Sequence, residues 1–180
     1  KWCEVHNRYP TVETNSFFDD KPALKDAEQG ALIQEVKNNF WNPTDPMEYS
    51  NLEPEVIWTD DDTLKSITGK KMPAIWNALR TFLSTMKNNS NIGRNLNFII
   101  QDKKTGKFLG ITCMSSDFLD LTPRDKHIGW DRKRKTEKMI NHTTIGSTIV
   151  PVQPLGYNLV GGKLLALLCL SDVVAKTWKK

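Results

Sequence analysis

Residues 144–178 constrain the fold most strongly, because they read as a β-strand, a turn and a helix in direct succession. The strand is rich in β-branched residues and ends near Pro151, which predicts an edge position or a bulge in a sheet. Gly156 lies in a cluster of chain-breaking residues, and Asn158 is a suitable N-cap for the following helix. A strand that leads straight into a helix gathers unpaired backbone N–H groups at one point. The sequence therefore predicts an anion-binding turn.

Gly161 and Gly162 stand near the start of that helix, where each costs roughly 1 kcal/mol of helix stability relative to alanine. Two interpretations account for them. In one, the start of the helix approaches a ligand closely. In the other, the two small residues only let the helix pack tightly on a strand, and the sequence favours neither interpretation.

The chain has 180 residues, of which 38% are hydrophobic, and that is enough to bury a core as one domain. We expect a mainly helical part over residues 1–90, and strands, a basic loop and a long helix over residues 91–180. The net charge of +4 permits an anionic partner without requiring one. The longest apolar run, residues 164–170, is far shorter than the ~20 residues of a membrane helix. We therefore expect no membrane contact and a cytoplasmic protein.

No metal site is predicted. Cys3 and His6 have a ligand-like spacing, but no second pair of ligands follows them. Residues 60–62 are three aspartates that lack the glycine of a calcium-binding loop, and they are better placed to cap a short helix after them. Cys113 and Cys169 lie in apolar runs, so we expect buried thiols in a reducing compartment.

Hydrophobic periodicity and turn residues predict the remaining elements. Helices are expected over residues 22–40 and 72–87, and the second has an apolar stripe at helical spacing. Strands are expected over residues 55–58, 95–101 and 107–114. The last two are joined by a short loop that ends in a glycine suited to positive φ, which is typical of a hairpin. The whole order predicts an α+β fold with an antiparallel sheet backed by helices.

Residues 124–138 are rich in basic side chains and contain one tryptophan. Clustered cations beside an aromatic ring are typical of surfaces that hold phosphates and stack a base. The alternative is a solvated charged loop, which such runs usually form. No catalytic base can be named, because His127 and His142 only flank the segment. The candidate nucleic-acid-binding residues are Arg124, Trp130, Arg132, Lys133, Arg134 and Lys135.

The predicted order of elements resembles the first two thirds of the GCN5-related N-acetyltransferase fold. In that superfamily the fourth strand and the turn after it hold acyl-coenzyme A, so the resemblance implies acyl-CoA as a cofactor. The turn in this chain departs from the usual Arg/Gln-x-x-Gly-x-Gly/Ala signature. The elements that complete such a fold do not follow, so we expect another segment or chain to cover the sheet edge beside residue 150. The residues that the resemblance assigns to the cofactor are Val150, Val152, Gln153, Gly156, Asn158, Gly161 and Gly162.

A more specific resemblance covers about residues 95–178. Its main element is the block Arg-Asp-x-x-Ile-Gly-Trp at residues 124–130, followed by Asn141, a strand that ends Ile-Val-Pro and a helix that opens with Asn158. These features resemble the domain family of the Druantia anti-phage defence protein A. Its relatives look like Mom-type proteins of phages, which are acyltransferase-like and modify adenine in DNA. The resemblance marks Arg124, Asp125 and Trp130, and it implies a cytoplasmic protein encoded by a bacterium or a phage.

Three functions are open at this point. The resemblance implies an acyltransferase-like protein that modifies DNA bases in a phage or phage-defence context. A non-catalytic DNA-binding module of such a complex needs only the basic segment. A structural or assembly subunit needs neither the acyltransferase activity nor the basic segment, because its open sheet edge would be the interface.

Overall fold

The sheet consists of four antiparallel strands in the order β1-β2-β3-β4. The computed structural model describes residues 27–43, 45–61, 65–84, 92–137, 139–152, 155 and 161–180. The strands are β1 Pro54–Trp58, β2 Asn95–Asp102, β3 Phe108–Ser116 and β4 Thr144–Pro151. Helices in the described residues include α1 Ala27–Asn38, α2 Met72–Leu83, α3 Thr122–Ile128, α4 Arg132–Thr136, α5 Gly161–Leu168 and α6 Asp172–Lys179. The predicted α+β class with an antiparallel sheet is confirmed.

The centre of the packing is β3, in which eight of nine residues are buried. Such complete burial requires cover on both faces of a sheet. Ile111 packs in the larger hydrophobic core together with Ile75 of α2. Met114, which points to the opposite face, belongs to a smaller cluster that includes Val174 of α6. The sheet therefore lies between helices.

The predicted hairpin is confirmed, since β2 and β3 pair antiparallel around a short loop. Gly106 in that loop has a φ of 69°, the left-handed conformation expected of it. The side chain of Asp102 orders the loop by accepting a hydrogen bond from the N–H of Thr105 at 3.1 Å. The predicted first strand also exists, and β1 pairs with β2. Elements from residues 1–90 and 91–180 thus share one sheet, and the proposed division between them stays a prediction.

Both predicted N-terminal helices exist, but they end earlier than predicted, since residues 39–40 and Ser84 are described and are not helical. α1 ends at Asn38, and α2 ends at Leu83 because Ser84 takes an extended conformation. Residues 22–26 and 85–87, where these helices were also predicted, lie outside the described residues. The same holds for residues 62–64, where the short helix after the aspartates was expected.

The prediction of one long C-terminal helix is wrong, because the chain forms α5 and α6 with a break at residues 169–171. The N–H groups of Leu170 and Ser171 each bond three residues back at 3.0 Å, a tightened turn that ends α5. The break has a packing reason. Leu165 of α5 is buried in the larger core, whereas Val174 of α6 is buried in the smaller cluster. One straight helix could not bury Leu165 in the larger core and Val174 in the smaller cluster.

β4 is last in the strand order, which confirms the edge position indicated by Pro151. Its partner β3 carries Gly110 directly opposite Pro151. A Cβ on Gly110 would lie 2.5 Å from the carbonyl oxygen of Val150 and would also meet Leu165 of α5. The absence of a side chain at Gly110 therefore lets α5 dock at the end of β4.

Three further features of the described residues concern membrane helices, metal-ligating clusters and the cysteines. No helix there is long and apolar enough to cross a bilayer. Within the same residues, no group of three or more metal-ligating side chains is arranged around a common point. Cys113 and Cys169 are buried free thiols, as predicted.

Candidate functional site

The segment between β3 and β4 is folded, although its composition suggested a loop. Leu121 precedes α3, and a proline at the start of a helix is favourable because its missing N–H is not needed there. Gly129 ends α3 in the left-handed conformation with φ 71°. Asp131 caps α4 by accepting a hydrogen bond from the N–H of Arg134 at 2.8 Å. The predicted basic loop therefore contains two short helices joined at Gly129.

Asp125 is the centre of a charge cluster, which we define as Asp117, Asp120, Arg124, Asp125 and Lys135. Oδ1 of Asp125 accepts from Arg124 Nε at 2.9 Å and Nη2 at 2.7 Å. Oδ2 accepts from Lys135 Nζ at 2.8 Å and from the N–H of Leu121 at 3.2 Å. Both carboxylate oxygens are thus used inside the protein, and they tie α3 to α4.

Arg124 connects the charge cluster to the residues that directly follow β3. Its Nη1 lies 2.7 Å from Asp117 Oδ2 and donates to the carbonyl oxygen of Phe118 at 2.9 Å. Its guanidinium carbon lies 5.4 Å from the ring centroid of Trp130, within the range of a cation–π contact. Arg124 and Trp130 therefore stabilise one another and hold the loop that leaves β3.

Burial strengthens the charge cluster, because Lys135 is only 6% exposed and Asp125 only 8%. The hydrogen bond from Lys135 lowers the pKa of Asp125 to about 2, with Arg124 adding to the effect against the opposing cost of burial. The hydrogen bonds to Asp120 and then Asp125 raise the pKa of Lys135. Both groups are therefore ionised across the neutral range.

The six predicted nucleic-acid-binding residues divide into two sets. Arg124, Trp130 and Lys135 face inwards and take part in or pack on the charge cluster. Arg132, Lys133 and Arg134 are exposed on α4, and we call these three the basic face. Lys133 Nζ lies 4.0 Å from Glu137 Oε1, and Arg134 Nη1 donates to the carbonyl oxygen of Gly129 at 3.3 Å. A nucleic-acid role for either set stays a prediction.

The residues assigned to a cofactor are only partly described, since Gln153, Gly156 and Asn158 lie outside the described residues. Val150 is half-buried. Val152 is fully buried, and its N–H donates to the carbonyl oxygen of Leu109 at 2.9 Å. This amide is therefore already paired.

The two helix glycines differ. A Cβ on Gly161 would lie 2.7 Å from Leu155 Cγ and 2.8 Å from its carbonyl oxygen, whereas a Cβ on Gly162 would meet no atom within 4 Å. Gly161 thus fits the interpretation of tight packing. Gly162 is exposed, and its assignment to a cofactor stays a prediction.

A cleft of about 270 Å³ adjoins the charge cluster at the end of β3. Asp117 belongs to both, because its carboxylate pairs with Arg124 while the residue lines the cleft. Trp178 of α6 also lines the cleft, and its indole N–H donates to the carbonyl oxygen of Asn141 at 3.3 Å. The residues that line the cleft are Arg94, Ser116, Asp117, Ile140, Asn141, Thr143 and Trp178.

Comparison with known proteins identifies the family. The family model described as Druantia protein DruA matches residues 21–180, which is most of the chain. The chain belongs to the Druantia protein DruA family. The Druantia protein DruA of Escherichia coli (strain UMEA 4076-1) is 30% identical over 82 residues, which cover 46% of this chain and 20% of that protein. The matched part thus spans about a fifth of the relative's length, and no solved structure gives a significant match.

The structure gives a physical role to the Arg-Asp-x-x-Ile-Gly-Trp block through which the chain resembles the DruA family. Arg124 and Asp125 form the core of the charge cluster, Gly129 supplies the left-handed turn, and Trp130 packs on Arg124. The N–H of Trp130 also donates to the carbonyl oxygen of Asp125 at 2.8 Å. In this chain the block fixes the shape of the segment that presents the basic face.

Sequence reasoning missed four residues that complete the site. Asp117 pairs with Arg124 and Asp120 pairs with Lys135, but the spacing of these residues in the sequence gives no sign of either pairing. Arg94 and Trp178 are far apart in sequence, yet the Arg94 guanidinium lies 5.1 Å from the Trp178 ring. Only the packing of α6 on the sheet brings them together.

Proposed function

We propose that this chain is a DNA-contacting part of an anti-phage defence protein, and that the basic face on α4 binds phosphates of the DNA backbone. Membership of the DruA family implies the phage-defence context. The proposal assigns Arg132, Lys133 and Arg134 to the phosphates. It assigns Arg124, Trp130 and Lys135 to holding α4 in place.

One observation supports this function above the others, namely the separation of charges between the inside and the surface. Three carboxylates of the segment are paired with Arg124 and Lys135 in the charge cluster. The two cations balance two of the three negative charges. Asp117 and Asp125 are turned away from solvent, whereas Asp120 stays exposed beside Lys135. The basic face is left on the outside with Asp131 and Glu137 as its acidic neighbours, and Asp131 is used as a helix cap. Such an arrangement favours an anionic partner.

The test is duplex binding by a variant in which Arg132, Lys133 and Arg134 are all replaced by alanine. Loss of three phosphate contacts is expected to weaken binding roughly 10- to 100-fold at low salt, and to reduce the salt slope by about 0.9 for each contact. Fluorescence anisotropy of a labelled duplex at several salt concentrations measures both. In the matched control, Lys70, Lys71 and Lys103 are replaced by alanine. These lysines are also exposed, and their replacement removes the same amount of positive charge.

The two variants separate a site from a general charge effect. Wild-type affinity in the control together with weak binding in the α4 variant supports the proposal. Equal losses in both variants would show that net charge alone governs binding, and undetectable binding of the wild-type chain at low salt would refute the proposed function.

A second candidate is an acyltransferase-like activity on DNA with acyl-CoA as donor. The observation that favours it is topological: four antiparallel strands in sequence order are followed by a helix that packs on β4, as the acetyltransferase resemblance implies. In this proposal the end of β4 and the start of α5 bind the cofactor. The outer edge of β4, where Gly146 and Ser147 are exposed, is completed by another segment or chain.

Acetyl-CoA is expected to raise the melting temperature of the chain if this second candidate is correct, because a ligand that binds only the folded state stabilises it by mass action. Differential scanning fluorimetry with increasing acetyl-CoA measures the shift. Desulfo-CoA, which keeps the nucleotide but cannot carry an acyl group, is the control that shows how much of the shift comes from binding of the nucleotide. The absence of a shift at about 1 mM ligand argues against the cofactor site.

A further inference from the structure

The cleft beside the charge cluster has a chemistry of its own. Its two charged residues already have partners: Asp117 pairs with Arg124 at 2.7 Å, and Arg94 donates to the carbonyl oxygens of Thr177 and Trp178 at the end of α6. The hydroxyl of Thr143 donates to the carbonyl oxygen of Ile140 at 2.9 Å, and the hydroxyl of Ser116 accepts from the N–H of Arg94 at 2.9 Å. What the cleft offers a ligand is therefore chiefly an indole ring and the side-chain amide of Asn141. Such a lining suits a neutral, planar, hydrogen-bonding ligand better than a free anion.

The size of the cleft narrows the ligand class further. At about 270 Å³ it is smaller than the usual pocket for a drug-sized molecule, which begins near 300 Å³. A single heterocyclic base is within that limit, and a whole dinucleotide is not. Asn141 is exposed and has an amide group that can both donate to and accept from the edge of a base.

Next to the cleft stands an apolar tip made of Phe118 and Leu119, which are 60% and 56% exposed. Phe118 and Leu119 are adjacent in the chain, and they are among the eleven large apolar side chains of the described residues that are 39% to 99% exposed. Contiguous exposed apolar groups indicate an interaction surface, whereas scattered ones do not. The acidic neighbours of the tip, Asp117 and Asp120, are paired with Arg124 and Lys135, and the basic face on α4 follows on the same segment.

The tip is held rigidly by the charge cluster. Arg124 Nη1 donates to the Phe118 carbonyl oxygen at 2.9 Å, and Asp117 Oδ1 accepts from the Phe118 N–H at 2.8 Å. These two hydrogen bonds fix the backbone N–H and the carbonyl group of Phe118, while the residue remains 60% exposed. A rigid apolar side chain beside a basic surface is the device by which many DNA-binding proteins unstack a base step.

We propose that the cleft lined by Asp117, Asn141 and Trp178 receives one nucleobase extruded from DNA, with Phe118 as the wedge that takes its place in the stack. This inference rests on the proposed DNA binding and adds to it the class of ligand and the site that takes it. Asn141 hydrogen-bonds the edge of the base, and Trp178 lies against its ring. Leu119 supports Phe118 against the neighbouring step.

The experiment uses the 180-residue chain and duplexes that contain 2-aminopurine, whose fluorescence rises when it leaves the base stack. One duplex pairs the probe with thymine and the other with cytosine, because a mismatched base costs less to extrude. The wild-type chain is expected to raise the fluorescence severalfold, and more with the mismatched duplex. Phe118→Ala is expected to abolish the rise while anisotropy still reports duplex binding. Asn141→Ala is expected to reduce the rise.

Met47→Ala is the matched control, because Met47 is 69% exposed and precedes β1, near the far end of β2 from the cleft. It is expected to behave as the wild type. Binding without any rise in fluorescence would overturn the base-extrusion inference and leave the proposed function standing. An equal rise for wild type and Phe118→Ala would overturn the role of the wedge. Failure to bind either duplex would refute both proposals.

Discussion

Gly110→Ala is expected to destabilise the chain by about 3 kcal/mol, at the upper end of the usual cost of overpacking a core. The new methyl group would meet the carbonyl oxygen of Val150 at 2.5 Å and the Cα of Pro151 at 2.8 Å. These are backbone atoms of the adjacent strand and cannot turn aside as a flexible side chain does. Either β4 or the contact between α5 and β3 must give way. Urea unfolding followed by circular dichroism measures the loss.

Gly162→Ala is the matched control for that substitution. A Cβ at Gly162 meets nothing within 4 Å, and the residue lies in the first turn of α5. Alanine is expected to stabilise the chain there by about 0.5 kcal/mol, because it favours the helix over the unfolded chain. If Gly110→Ala unfolds at the same urea concentration as the wild type, the packing of α5 against β3 and β4 is not as described.

Asp125→Asn is expected to lower the melting temperature by several degrees, because Arg124 and Lys135 would lose their shared buried carboxylate. The effect depends on pH. The pKa of Asp125 in the folded chain is about 2, below its ordinary value of 3.8. Its stabilisation is therefore fully present above about pH 4 and is lost as the pH falls towards 2. Melting curves of wild type and variant across this range should converge at the acid end.

The same substitution separates orientation from net charge in DNA binding. Asp125→Asn removes a negative charge, so a purely electrostatic effect would strengthen the affinity for a duplex. We expect weaker binding instead, because α4 is no longer tied to α3. Asp172→Asn also removes a negative charge, but Asp172 is an exposed partner of Lys176 at 3.5 Å, and little change in stability is expected. Tighter binding by both variants would contradict the orienting role of Asp125.

Local patterns predicted the elements whose structure depends on neighbours in sequence. The apolar stripe of α2 and the hairpin around Gly106 are examples, since helical periodicity and a positive-φ glycine each act within a few residues. The break between α5 and α6 was missed for the opposite reason. Nothing in residues 169–171 demands it, and the need arises because Leu165 and Val174 are buried in different clusters.

The site shows the same limit. Composition identified a basic segment, but it could not say that Lys135 points inwards to Asp125 while Lys133 remains exposed. That distinction depends on the turn at Gly129, which sets α4 against α3. The cleft could not be predicted, because Arg94 and Trp178 meet only after β2 and α6 have packed on the sheet.

We propose that this chain contacts DNA through the segment from α3 to α4, which the charge cluster holds in place. Hydrogen–deuterium exchange with and without a saturating duplex at low salt is the decisive experiment. We predict slower exchange over residues 122–137, with the largest change in α4, and little change at the hairpin around Gly106. Protection confined to the end of β4 and the start of α5, with none in α4, would contradict the account.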